Sequence, residues 1–171
     1  MQYQKYEGIV VNRRGVGDAD RFLTILTRDA GKISVYARAV RTVKSKRAGS
    51  LDLFSRISFE VAERGDHRTL MSVTLLDSYQ RNKQALVNIS RLFELGELVD
   101  TLLPEDDPQA EVYDLLETAL THLARFETPE YLTRFKKKLL ALLGFGTPAG
   151  DLDTYIESLI SRSLRSKNFI S

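Results

Sequence analysis

Apolar positions in the first half of the chain come in short runs of Ile, Val, Thr, Phe and Tyr, the pattern of β-strands. Residues 6–13 (YEGIVVNR), 21–28 (RFLTILTR) and 31–39 (GKISVYARA) predict three strands, the last two joined by a tight hairpin at Asp29-Ala30-Gly31. A fourth, 54–62 (FSRISFEVA), alternates strictly, with Ile57, Phe59 and Val61 on one side; a turn at Glu63-Arg64-Gly65-Asp66 leads to a fifth at 68–76. Five short strands with no helical crossover favour a small barrel or sandwich over a parallel sheet, and the five-stranded oligonucleotide-binding (OB) barrel is the natural candidate.

The period changes after residue 81. From Ala85 to Leu103, Leu86, Ile89, Leu92, Phe93, Val99 and Leu102 recur at helical spacing, closed by Pro104. Asp107-Pro108 reads as a cap opening a second helix that buries Val112, Tyr113, Leu116, Leu120 and Leu123. A third runs from Pro129 to Leu143, buries Leu132, Phe135, Leu139 and Leu142, and stops at Gly144; a shorter fourth covers Asp153 to Ile160. The predicted fold is α+β, an OB-type barrel over 1–80 followed by a helical domain over 81–171.

Charge divides at the same place. Residues 1–81 carry 15 Lys/Arg against 9 Asp/Glu, whereas 82–171 carry 10 against 14, within an overall net charge of +2. A basic first half predicts contact with a polyanion. With no cysteine and two distant histidines, His67 and His122, neither disulfides nor a structural zinc site are expected, and no metal or cofactor is called for. The N-terminus lacks a signal-like apolar core, and the longest apolar run, 139–145, is too short to span a bilayer, so an intracellular soluble protein is expected.

Strand parity picks out the candidate binding residues. With Ile33, Val35 and Ala37 inside the barrel, Lys32, Ser34, Tyr36 and Arg38 share the outer face, an aromatic ring between two cations. Cations that track phosphates beside an aromatic platform are what single-stranded nucleic acid requires; the competing interpretation is that Tyr36 only covers a neighbouring side chain. Directly after this strand Arg41, Lys44, Lys46 and Arg47 crowd one polar loop, and Arg13 and Arg14 are placed in the loop between the first two strands. For the loop cations the alternative is a solvated charge run. On the third helix Arg134, Lys137 and Lys138 form a positive stripe, either a solvated face or a dock for an acidic peptide or DNA backbone, with Lys136 nearer the apolar rim. No nucleophile–base arrangement or paired-carboxylate metal site stands out, and the run Glu105-Asp106-Asp107 fits a helix N-terminus. A non-enzymatic binding protein is expected.

These residues resemble the RecO family of recombination mediators. Its pattern GExD…T…GK…A.G.R..KS is matched by Gly17-Asp18-Ala19-Asp20, Thr27, Gly31-Lys32, Ala37, Arg41 and Lys44-Ser45, with Asp18 and Ala39 in place of the usual glutamate and glycine. LLALLGFGTP (139–148) and RSLRSKNFI (162–170) resemble the family's closing helices and tail, without the four-cysteine zinc module many relatives carry between them. The resemblance implies a cytoplasmic, nucleoid-associated mediator of bacterial recombinational repair. Such a protein binds single- and double-stranded DNA, anneals complementary strands, engages the acidic tail of single-strand-binding protein (SSB), and works with RecR to load RecA. It implies DNA contacts at Lys32, Arg38, Arg41, Lys44 and Arg47, to which strand parity and charge add Arg13, Arg14, Tyr36 and Lys46 as DNA-binding candidates, and it makes Arg134, Lys137 and Lys138 candidates for the SSB tail. The alternative is a protein adaptor that recruits SSB or RecR through the helices and binds little DNA.

Overall fold

The structure, a computed structural model, describes residues 1–40, 51–80, 86–122 and 129–170. Its first half is a closed five-stranded barrel of β1 (Gln2–Val16), β2 (Asp20–Thr27), β3 (Gly31–Ala37), β4 (Arg56–Arg64) and β5 (His67–Asp77). The strands are ordered β1-β2-β3-β5-β4 around the ring, which β1 closes by pairing with both β2 and β4. This is the Greek-key order of an OB barrel. β1 is longer at both ends than the apolar run 6–13 indicates, because its first half pairs with β4 through polar residues.

The inward parity of β3 and β4 is as expected: Ile33, Val35 and Ala37 meet Leu23, Ile25, Ile57, Phe59 and Val61 in a sealed barrel core. The β2–β3 hairpin carries Gly31 at φ 75°, where a Cβ would lie 2.1 Å from the Asp107 carbonyl oxygen. Glycine thus serves the turn and lets a loop of the helical half sit against the hairpin.

That half comprises α1 (Leu86–Leu102), α2 (Ala110–Thr121), α3 (Pro129–Leu142) and α4 (Leu152–Ile170). A second core joins Leu95, Val99, Tyr113, Leu116, Phe135 and Leu139 to the outer barrel residues Ile9, Val11 and Leu26. Three expectations are corrected. Phe93 is 55% exposed, because Leu92, Leu95, Val99 and Leu102 already form the inward stripe of α1 and Phe93 projects about 100° away. α2 begins at Ala110 with Gln109 as its cap residue and no side-chain capping bond, so Asp107 does not cap it. α4 runs on to Ile170, well past Ile160. At the end of α3, Gly144 has φ 82° and donates to Ala141 O (3.1 Å), while Phe145 N donates to Leu140 O (2.9 Å), the paired bonds of a Schellman stop. Leu123 lies outside the described residues.

Candidate nucleic-acid interface

Strand register sorts the outer face of the barrel into three rows. The lowest, Ile9–Leu26–Lys32, lies under the helices; the middle, Asn12–Thr24–Ser34, is at their edge; the upper, Arg14–Phe22–Tyr36–Thr69, crosses four strands and opens to solvent.

The lowest row corrects the expectation for Lys32. It does face outward, but it is only 2% exposed, and its Nζ donates to the Asp100 carbonyl oxygen at 2.6 Å, with Asp100 Oδ1 at 3.6 Å. The cause can be read in α1. Within a helix the Asp100 carbonyl would accept from the nitrogen of residue 104, but Pro104 has no N–H. Lys32 supplies the missing donor and places a cation at the negative end of the helix. It is a tie between barrel and helices, inaccessible to a ligand.

In the middle row, acidic residues of the helical half approach the barrel. Asn12 Nδ2 donates to Asp100 Oδ2 (2.8 Å), and Ser34 Oγ donates to Glu105 Oε1 (3.4 Å).

The upper row combines a cation with two aromatic rings. The Arg14 guanidinium lies 5.3 Å from the Phe22 ring centroid, and Phe22 packs tilted on Tyr36 at 5.2 Å. Phe22 is 38% exposed, so one face of its ring is open to solvent. The Tyr36 hydroxyl donates to Asp20 Oδ2, and Asp20 Oδ1 accepts from Ala39 N (2.8 Å). That bond to Asp20, and secondarily burial, holds the Tyr36 phenol above its ordinary pKa. The last aspartate of the GDAD stretch thus fixes both the ring and the turn leaving β3. Beside the row is a groove of about 390 Å³ lined by Phe22, Ser34, Tyr36, Asp66, His67, Arg68 and Thr69.

The other expected residues are distributed as follows. Arg13 and Arg14 belong to β1, not to a loop, because the strand continues to Val16; Arg13 pairs with Asp52 at 3.1 Å. Arg38 is exposed just beyond β3. Arg41, Lys44, Lys46 and Arg47 lie outside the described residues. Arg134, Lys137 and Lys138 are exposed on α3, and Lys138 borders a groove of about 320 Å³ with Glu111, Asp114, Leu115, Thr118 and Leu142. Lys136 is buried and bound to Glu94 of α1 and to Asp153 of α4 (3.0 Å), which outweigh the effect of burial and hold its pKa above the ordinary value.

Sequence reasoning missed Phe22 and Arg68. Phe22 was within reach, since a hairpin pairing Thr27 with Gly31 sets Phe22 opposite Tyr36. Arg68 was not, because the parallel β3–β5 contact that brings it beside Tyr36 is a matter of ring closure. Among the described residues no group of three or more His, Cys, Asp or Glu could hold a metal ion, and no helix is long and apolar enough to cross a membrane.

A family model described as "Recombination protein O N terminal" matches residues 1–79, and one described as "Recombination protein O C terminal" matches 84–148. The DNA repair protein RecO of Symbiobacterium thermophilum is 36% identical over 148 residues, 85% of this chain and 58% of that protein. That of Myxococcus xanthus is 31% identical over 140 residues, 81% of this chain and 57% of that protein. That of Bifidobacterium longum subsp. infantis is 32% identical over 152 residues, 85% of this chain and 62% of that protein. The chain spans less than two-thirds of the length of these relatives.

Proposed function

The chain belongs to the RecO family, and from that membership we propose that it is a non-enzymatic DNA-binding mediator of recombinational repair. Cations neutralise phosphates, exposed rings stack with bases, and two neutralised strands can then meet and anneal. The observation that carries this reading is the outer row Arg14–Phe22–Tyr36–Thr69, which sets a cation beside two adjacent rings, Phe22 exposed and Tyr36 half-buried, on an OB-type face. Base–aromatic stacking contributes roughly 1–3 kcal/mol per base and tolerates any sequence, as an annealing protein needs. Arg13, Arg38, Arg41, Lys44, Lys46 and Arg47 are further proposed phosphate contacts, and Lys32 has no part in the proposal. SSB, RecR and RecA are its proposed partners.

Fluorescence anisotropy with a labelled single-stranded oligonucleotide over a salt series tests the reading. Each neutralised phosphate of a single strand steepens the log K against log salt slope by about 0.7. Phe22→Ala/Tyr36→Ala should weaken binding by at least tenfold and slow annealing. Weak, salt-insensitive binding that the double variant leaves unchanged would overturn the proposal.

A second reading, an adaptor acting through the helices, rests on the exposed Arg134/Lys137/Lys138 stripe beside the groove floored by Leu115 and Leu142. Binding of an SSB tail peptide that is lost in the triple alanine variant, in a chain with no affinity for DNA, would favour it.

A further inference from the structure

The barrel closes with its shortest ladder at one seam. β3 and β5 meet in a ladder of a single pair, Tyr36 with Thr69, and the strip beside it is filled by the loop between α1 and α2. Asp106 N donates to Lys32 O (2.9 Å), and Glu105 bridges to Lys32 as though it were a short parallel strand. This puts the Asp106 carboxylate on Arg68, with Nη2 to Oδ1 at 2.6 Å, while the Nε of Arg68 donates to Glu63 Oε1 at 3.1 Å. Arg68 lines the same groove as Phe22 and Tyr36.

We propose that this seam is a backbone-phosphate subsite of the nucleic-acid face, centred on Arg68 and occupied in the ligand-free protein by the Asp106 carboxylate. The proposal rests on the DNA-binding reading and names its regulation. A guanidinium fork recognises a carboxylate and a phosphodiester through the same charge-assisted hydrogen bonds, so the two compete for Nη2. The exchange is inexpensive on the protein's side. Asp106 is already 54% exposed and returns readily to water, whereas Arg68, 17% exposed, stays anchored by Glu63 when Asp106 leaves. Asp106 sits at φ 57°, a left-handed conformation that aspartate tolerates, so the loop reaches Arg68 with a residue type suited to that turn. Because the same residue bonds to Lys32 O, occupation of the subsite loosens the α1–α2 loop from β3, and by linkage a loosened loop binds the strand more tightly.

A double-mutant cycle on the full chain with a fluorescein-labelled oligo-dT tests this. Asp106→Asn should tighten binding roughly three- to tenfold, the effect of one charge-assisted hydrogen bond freed from competition, and steepen the salt slope by about 0.7. In an Arg68→Gln background the same change should alter affinity less than twofold. If Asp106→Asn lowers the melting temperature without tightening binding, the loop is only a structural staple; if it tightens binding equally in both backgrounds, the effect is diffuse charge. Either result overturns the subsite. Since Arg68→Gln leaves Glu63 without its cation, amide exchange in the unmodified chain is the second measurement. Saturating oligonucleotide should accelerate exchange at the Asp106 N–H, and unchanged exchange refutes the proposal. An unmodified chain with no salt-dependent binding sinks the DNA-binding reading and the subsite together. Tyr36-dependent binding with an additive cycle removes the subsite alone.

Discussion

Replacing Lys32 by methionine separates the two roles that its position invites. Methionine keeps most of the stem volume and removes the ammonium that donates to the Asp100 carbonyl at 2.6 Å. That carbonyl then faces Pro104 with no donor, and the Asp100 carboxylate keeps Asn12 Nδ2 at 2.8 Å. Losing a hydrogen bond from a charged group costs about 1.5–3 kcal/mol, and the apolar replacement recovers a little by burial. Asp100 is only partly buried, its side chain 24% exposed, so the larger penalties of a fully stranded charge do not apply. A destabilisation of about 2 kcal/mol should lower the melting temperature by roughly 4–8 °C in a chain of this size. Circular dichroism melts and oligonucleotide anisotropy should be measured on one preparation. The expected result is a lower melting temperature with affinity per folded molecule within twofold of the unmodified chain. A tenfold loss of affinity at an unchanged melting temperature would refute the structural assignment and return Lys32 to the binding face.

Gly96→Ala places a Cβ 2.6 Å from Phe54 Cζ and 3.1 Å from Val11 O, so chemical denaturation should show about 1–2 kcal/mol of destabilisation despite alanine's better helix propensity. Ala39 has φ 54° and donates its N–H to Asp20, so Ala39→Gly should keep the bond, relieve the left-handed strain and raise stability by about 0.5–1 kcal/mol in the same assay. Burial is the first cause that raises the Tyr113, Tyr6 and Tyr79 phenols, favouring their protonated form in the folded state. Their contribution is whole below pH about 10, where the unfolded chain titrates, and fades as pH rises through the higher folded values. Denaturant midpoints should therefore fall above pH 10, with a shallower fall in Tyr113→Phe.

Local chemistry explains what was legible beforehand. Alternation exposed the barrel strands, Asp29-Ala30-Gly31 exposed the β2–β3 hairpin, and the hairpin in turn ties Phe22 to Tyr36 by register. Glycine at 144 closed α3 because a left-handed stop is a one-residue property. Legibility ended where partners lie far apart in sequence. Parity set Lys32 outward correctly, yet outward is not exposed when a helix covers that row of the barrel. Lys136 read as a rim cation, and its burial depended on Glu94 and Asp153 arriving from two other helices. Asp107-Pro108 resembled a cap, but the segment is drawn onto the barrel and Gly31 makes room for it.

The α+β class, the barrel strands and the basic first half therefore follow from the chain alone, since periodicity, turn residues and charge count are properties of neighbours along it. Which outward side chains remain available was decided only by docking the helical half on the barrel. That packing buries the Lys32 row, brings acidic loop residues to Ser34 and Arg68, and leaves Arg14 and Phe22 exposed beside a half-buried Tyr36. The physical reason is that burial and pairing of a charge depend on contacts between segments some seventy residues apart, as Lys32 and Asp100 are, which no local pattern encodes.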